Sequence, residues 1–600
     1  MRELFYKPYS PEYKSPVGAV TVNENFIIKI RITERDDIES VYFVLKKENE
    51  AKMYYRMYTE NDCYCVDMPI TSVGLYFYHF EVRQYGGGYF NIFASPDLTP
   101  VYHYGEDWLM LARERVYEPS DTLKGGLIYQ IMVDRFCAVE PKRTRNDVEY
   151  RDDWYGVPHY KPDKKGIVRN NDFFGGNLSG IISKLDYLKS LGVTCIYLNP
   201  IFKANSNHKY DTGDYSTVDP DFGTEEDLKN LIKKAKGRGM KIMLDGVFSH
   251  TGDDSLYFNK YGSYPTLGAY QSKDSPYYKW YTFKKHPSDY ECWWGINILP
   301  NVVETEESYN DYINGENGII AKYTKMGIGG WRLDVADELP DVFLQNLTKR
   351  VKTVNPKAIV LGEVWEDAVT KVAYSVRRKY FWGRELDSVT NYPFKADILG
   401  FIQSGDAQRL NRTVITLVDH YPKEYTASLM NMVGTHDTVR ALTSLSTDKV
   451  PSSRDERAEK KITDRDQAVK KLKLAAVLQY TLPGVPLIFY GDEAGLEGYE
   501  DPFNRRCYPW GKEDKDLIGF FRTLGKVRQD NISILADGIY EPLLAENGLY
   551  IYERKTENGT LQVIANAQKT EYVLDKTVHD EITNSNVNTL SPYSAIIIKY

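Results

Sequence analysis

Four acidic residues close four short apolar runs: Asp245 in KIMLDGVFSH, Asp334 in GGWRLDVADE, Glu363 in AIVLGEVWED and Asp437 in MVGTHDTVR. His250, Arg332 and His436 stand beside them in sequence. Carboxylates gathered with basic partners suit the cleavage of a glycosidic bond. That reaction needs one acid as nucleophile below the sugar ring and another above the leaving oxygen, and retaining enzymes hold the two about 5–5.5 Å apart. The nucleophile must stay ionised while the acid keeps its proton. Arg332 and Asp334 lie two residues apart on a predicted strand, so they share a face and the guanidinium is expected to hold Asp334 as carboxylate. Glu363, followed by apolar Val364 and Trp365, is expected to keep the proton. Asp437 and the two histidines are expected to grip sugar hydroxyls.

Such acids converge only if the strands do. An α/β barrel sets every strand's C-terminal end on one face, where its active site is built. From Leu127 the chain alternates apolar strand-like runs with helical segments, the pattern of a parallel sheet with crossovers. Eight runs qualify: LIYQIMVDRF, CIYLNPIF, KIMLDGVF, GGWRLDV, AIVLGEVW, SVTNYPF, SLMNMVG and PLIFYGDE. They predict a (β/α)8 TIM barrel over residues 122–531. In TEEDLKNLIKKAKGRG, Thr224 reads as a helix N-cap with acids in the first turn. The third connection is oversized, and residues 251–300, rich in Tyr, Trp and Gly, are expected to form an excursion domain walling one side of the cleft. Residues 1–121 alternate apolar and polar and read as an N-terminal β-sandwich, with the glycines at 86–88 supplying a hairpin turn. Residues 532–600 return to short alternating strands, a C-terminal all-β domain.

Composition narrows the partners. A net charge of −8 without a dense Lys/Arg stripe argues against nucleic acid. The KKLK run at 470–473 reads as a solvated helix face. No apolar run is long enough to span a membrane. The six cysteines at 63, 65, 137, 195, 292 and 507 show no zinc or disulfide pattern and suit a reduced compartment. Together with an N-terminus lacking a signal-like apolar segment, this places the expected location in the cytoplasm. The 49 tyrosines and nine tryptophans offer amphipathic faces on which sugar rings can stack.

DGVFSH, GWRLDVADE, GEVWED and VGTHD, in that order, resemble the signature regions of the α-amylase superfamily of glycoside hydrolases. FFGGNLSGIISKLDYLKSLGVTCIYLNPIF, SNHKYDTGDY and FYGDEAGLEGYEDPFNRRCYPW extend the likeness along the barrel. The SNHKYDT and WRLDVADE variants are most similar to the neopullulanase, cyclomaltodextrinase and amylopullulanase group. The resemblance implies Asp334 as nucleophile, Glu363 as general acid/base and Asp437 as transition-state stabiliser. It implies that Asp245, His250, Arg332 and His436 surround the scissile sugar, that Tyr210 stacks on it, and that Asp501 and Arg505 bind the next sugar; His208 lies in a matching stretch. Ser249 stands where relatives carry Asn. Gly175 and Asn177 align with calcium positions, but the preceding loop, CAVEPKRTRND, lacks the relatives' acidic and Asn-rich character, so no cofactor is expected to be required. The implied activity is retaining hydrolysis of α-1,4 bonds, with α-1,6 bonds as a further candidate, in maltodextrins, cyclodextrins, pullulan or starch. A glucan transferase using the same three acids and a non-catalytic glucan-binding relative are the alternatives. A homodimer formed through the N-terminal domain is the expected assembly.

Overall fold

A computed structural model describes every residue except Met1, Lys165 and Ile167. Eight parallel strands close a barrel: β1 (Ile128–Ile131), β2 (Cys195–Leu198), β3 (Lys241–Gly246), β4 (Gly330–Leu333), β5 (Ile359–Gly362), β6 (Ser388–Asn391), β7 (Met430–Met432) and β8 (Val485–Phe489). Seven fall inside the apolar runs, and β8 begins one residue before the eighth run, at Val485. Strands buried on both faces read as continuous hydrophobic stretches, which is why these runs were recognisable. β8 pairs with β1, completing the ring.

Helices cover the barrel. The helix Glu225–Lys236 begins at Thr224, whose hydroxyl accepts from the Asp227 amide while the Asp227 carboxylate accepts from the Thr224 amide. This reciprocal cap satisfies two amides that the first turn leaves without partners. The KKLK run lies on the helix Arg465–Thr481, but only part of it is solvated. Lys471 is buried and its ammonium donates to the Leu445 carbonyl, because this helix is wrapped by neighbours on several sides.

The N-terminal region forms two sheets of five and seven strands. Their facing sides enclose Phe26, Ile28, Phe43, Tyr78, Phe80 and Trp108. The other face of the larger sheet gives Leu75 and Leu111 to the barrel's own core. A fully buried ion pair, Lys14 Nζ to Asp419 Oδ1 at 2.5 Å, pins this junction, and Glu48 accepts from Arg377 beside it. After the last barrel helices a four-stranded sheet begins at Ile539, and Arg554 anchors it by donating to the carbonyls of Thr481, Leu535 and Gly538. The β3 excursion contains little regular structure. It is held by aromatic packing, as in Phe258 against Tyr281 at 4.8 Å, and closed at its base by a bridge between His250 and Asn301.

Candidate active site

Strand register decides which side chains meet. Asp245 on β3 lies opposite Arg332 on β4, and Leu333 lies opposite Gly362 on β5. Asp334 and Glu363 each follow their strand by one residue, so they sit level at the barrel mouth. Asp437 comes from further out, in the loop after β7, five positions past Met432 rather than at the strand's end. All three open into one cleft of about 1490 Å³ that also exposes Tyr210, His208, His250, His436, Asp501 and Arg505. The sequence-predicted site residues therefore converge, apart from Gly175 and Asn177; Asp245 and Arg332 form its floor.

Arg332 organises that floor. Its Nη1 donates to Asp245 Oδ1 at 2.8 Å and Asp334 Oδ1 at 2.9 Å, and its Nη2 lies 2.8 Å from Glu363 Oε2. The guanidinium thus contacts Asp334, as the strand spacing suggested, and two further carboxylates as well. Burial, together with the negative charge of Glu363 and Asp245, pushes the Asp334 carboxyl well up, against the opposing pull of Arg332. Burial likewise raises Asp245, although Arg332, Tyr197 and Tyr210 all stabilise its charge. One cation is shared among three buried carboxylates, so Asp334 and Asp245 are both harder to ionise than an exposed carboxylate.

Other partners fix orientation. Glu363 Oε2 accepts from the Val335 amide at 2.9 Å, and Oε1 accepts from the Trp365 indole at 3.1 Å. Val335 has φ of 33°, a left-handed conformation that is costly for a β-branched residue. It points the amide next to Asp334 at Glu363. Tyr197 and Tyr210 hydroxyls donate to Asp245 Oδ2 at 2.6 and 2.9 Å. The Tyr210 hydroxyl also lies 2.6 Å from His436 Nε2, and the two ring planes are parallel within 2°. His436 Nδ1 meets Gln130 at 2.7 Å, and Gln130 in turn donates to Asn199. Asp437 lies 3.1 Å from His436 and 3.4 Å from Arg505, which also pairs with Asp501 at 3.1 Å.

The histidines are held neutral. Burial and the nearby arginines drive His436 well below its ordinary value, and burial takes His250 down to about 4 and His208 to about 3. His250 Nε2 contacts the Tyr210 carbonyl at 3.0 Å, so it supports the Tyr210 loop, while Ser249 Oγ lies 3.0 Å from its Nδ1. Sequence reasoning missed Tyr197, Gln130, Asn199 and the excursion residues Trp293 and Trp294. Gln130 and Tyr197 each carried a usable signal, a polar group inside an otherwise apolar core strand.

Gly175 and Asn177 lie outside the cleft. Asn177 caps the helix Leu178–Ser183 by accepting from the Gly180 amide, and its amide group donates to Val139. The neighbouring Asp134 accepts from the amides of Phe174 and Gly175 and from Arg135. A calcium ion there would have to displace a guanidinium and a helix cap, so these residues do not fit one. Among the described residues no group of three or more His, Cys, Asp or Glu could hold a metal, and no helix is long and apolar enough to cross a membrane.

Residues 130–532 match the family described as alpha amylase, catalytic domain. The chain is 34% identical over 627 residues to an amylopullulanase of Thermoanaerobacterium saccharolyticum, covering 93% of this chain and 47% of that protein, so it spans about half that relative's length. It is 33% identical over 483 residues to a cyclomaltodextrinase of a Bacillus species, covering 76% of this chain and 75% of the other. Among solved structures, the type III pullulan hydrolase of Thermococcus kodakarensis superposes with a TM-score of 0.70 at 26% identity over the whole of both chains.

Proposed function

Because the chain belongs to the α-amylase family of glycoside hydrolases, we propose that it hydrolyses α-glucans through a covalent glycosyl-enzyme. Its substrates are maltodextrins, cyclodextrins, pullulan or starch. The convergence of Asp334 and Glu363 on the two ends of one Arg332 guanidinium carries this reading. The names of the relatives supply the substrate class.

In the first step an Asp334 oxygen bonds to the anomeric carbon while the bond from that carbon to the leaving oxygen breaks. The proton carried by Glu363 passes to the leaving oxygen. In the second step Glu363 takes a proton from water, the water oxygen bonds to the anomeric carbon, and Asp334 leaves as carboxylate. Arg332 keeps its charge throughout. Asp437 and neutral His436 hold hydroxyls of the ring as it flattens, and Tyr210 supports its face.

The test is product analysis with pullulan, β-cyclodextrin and soluble starch, beside an Asp334→Asn control. Panose from pullulan, or ring opening faster than starch digestion, indicates α-1,4 cleavage of the neopullulanase and cyclomaltodextrinase kind. Maltotriose from pullulan indicates α-1,6 cleavage. Longer oligosaccharides built from maltotriose would mark a transferase. No products from any substrate, with wild type matching the control, would overturn the assignment.

A further inference from the structure

One carboxylate oxygen outside the catalytic cluster ties three barrel connections together. Glu338 Oε1, in the β4 connection, accepts from the Trp294 indole of the excursion at 3.1 Å and from the Tyr374 hydroxyl of the β5 connection at 2.5 Å. Neither donor is placed by burial, since Trp294 is 77% and Tyr374 70% exposed. Both also adopt left-handed backbone, with φ of 50° and 51°, and Ser375 next to Tyr374 does the same at 63°. Tyr374 and Ser375 form the tip of a minimal hairpin between Val372–Ala373 and Val376–Arg377. Such a tip ordinarily takes Asn and Gly, so this one is strained. Two strained segments thus meet at one partly buried acceptor.

Its position follows from the chemistry already assigned. Glu363 faces the leaving oxygen, with Tyr210, Asp437 and Arg505 on the side of the sugar that stays bound. The cleft beyond Glu363, where Trp365, Lys371 and Trp294 line it, therefore receives the leaving group. Trp294 lines the cleft there, and Glu338 and Tyr374 hold it from behind the lining.

We propose that Glu338, by latching Trp294 to Tyr374, ends the row of sugar sites on the leaving-group side and so selects short leaving chains. This rests on the hydrolase reading above. Opening the latch lengthens the leaving group accepted.

Reducing-end-labelled maltoheptaose reads this directly, because the labelled fragment is the leaving group. Wild type is expected to put most label in mono- and disaccharide. Glu338→Ala, and Tyr374→Phe, which removes only the hydroxyl, are expected to raise the share of label in trisaccharide and longer fragments about fivefold, or about 1 kcal/mol in relative transition-state binding. Glu338→Gln keeps an acceptor oxygen and is expected to retain the wild-type distribution. An unchanged distribution in both latch-breaking variants overturns the latch while leaving the hydrolase intact, as does an equal shift in Glu338→Gln and Glu338→Ala. Wild type that leaves the labelled chain uncut overturns the hydrolase reading, and the latch falls with it.

Discussion

Arg332 and Glu363 are paired at 2.8 Å through the guanidinium's second nitrogen, while the first nitrogen serves Asp245 and Asp334. One cation therefore contacts both acids of the candidate pair and the floor residue Asp245.

Replacing Arg332 with Gln removes the one charge that lowers the Asp334 carboxyl against burial and its anionic neighbours. The carboxyl then rises further, so less of it is ionised at any given pH. We expect kcat/KM to fall by about 10³, and the acid limb of its pH profile to move to higher pH. A fall with the acid limb unmoved would contradict this account.

Trp365 stacks on Tyr392 with centroids 3.9 Å apart and donates its indole N–H to Glu363. Trp365→Phe keeps the stack and loses the donor, so kcat is expected to fall about tenfold, the scale of one hydrogen bond to a charged group, at nearly constant KM. Trp365→Ala loses both and is expected to raise KM as well. Steady-state kinetics on maltotriose separates the two contributions.

His250 is buried and neutral, with its value taken from about 6.5 down to about 4. Between those values the unfolded chain binds the proton and the folded protein does not, so this residue's contribution makes stability fall as pH drops from 6.5 to 4. Two and a half pH units correspond to about 3 kcal/mol when fully developed. His250→Gln is expected to remove that slope, seen as a shrinking stability gap between variant and wild type across this window in urea unfolding at several pH values. Parallel curves would refute it.

Lys14 and Asp419 are fully buried where the sandwich meets the barrel. Lys14→Met leaves Asp419 uncompensated and is expected to cost about 3–5 kcal/mol, whereas adding Asp419→Leu should recover most of it. Denaturant titrations of both variants decide. A double variant no more stable than the single one would show that the junction needs the charge pair itself.

The barrel was legible because its strands are buried on both faces, which forces apolar runs of recognisable length, and because each acid interrupts such a run. The Arg332–Asp334 contact was legible for a local reason, a spacing of two on a strand. The contact of the same cation with Glu363 was not legible, because Glu363 arrives from the adjacent strand. Lys471 was misread for a similar cause: its sequence neighbours are charged, but its helix is enclosed.

Sequence alone determined the order of strands, the acids at the barrel mouth and their basic companions, since these depend on residue type and short-range period. Only tertiary structure decided the charge of the cluster, the Trp365 and Val335 donors to Glu363, and the contact of Trp294 and Tyr374 on Glu338. Those depend on strand register and on loops separated by tens of residues, where no local period constrains the chain and burial from all sides sets the electrostatics.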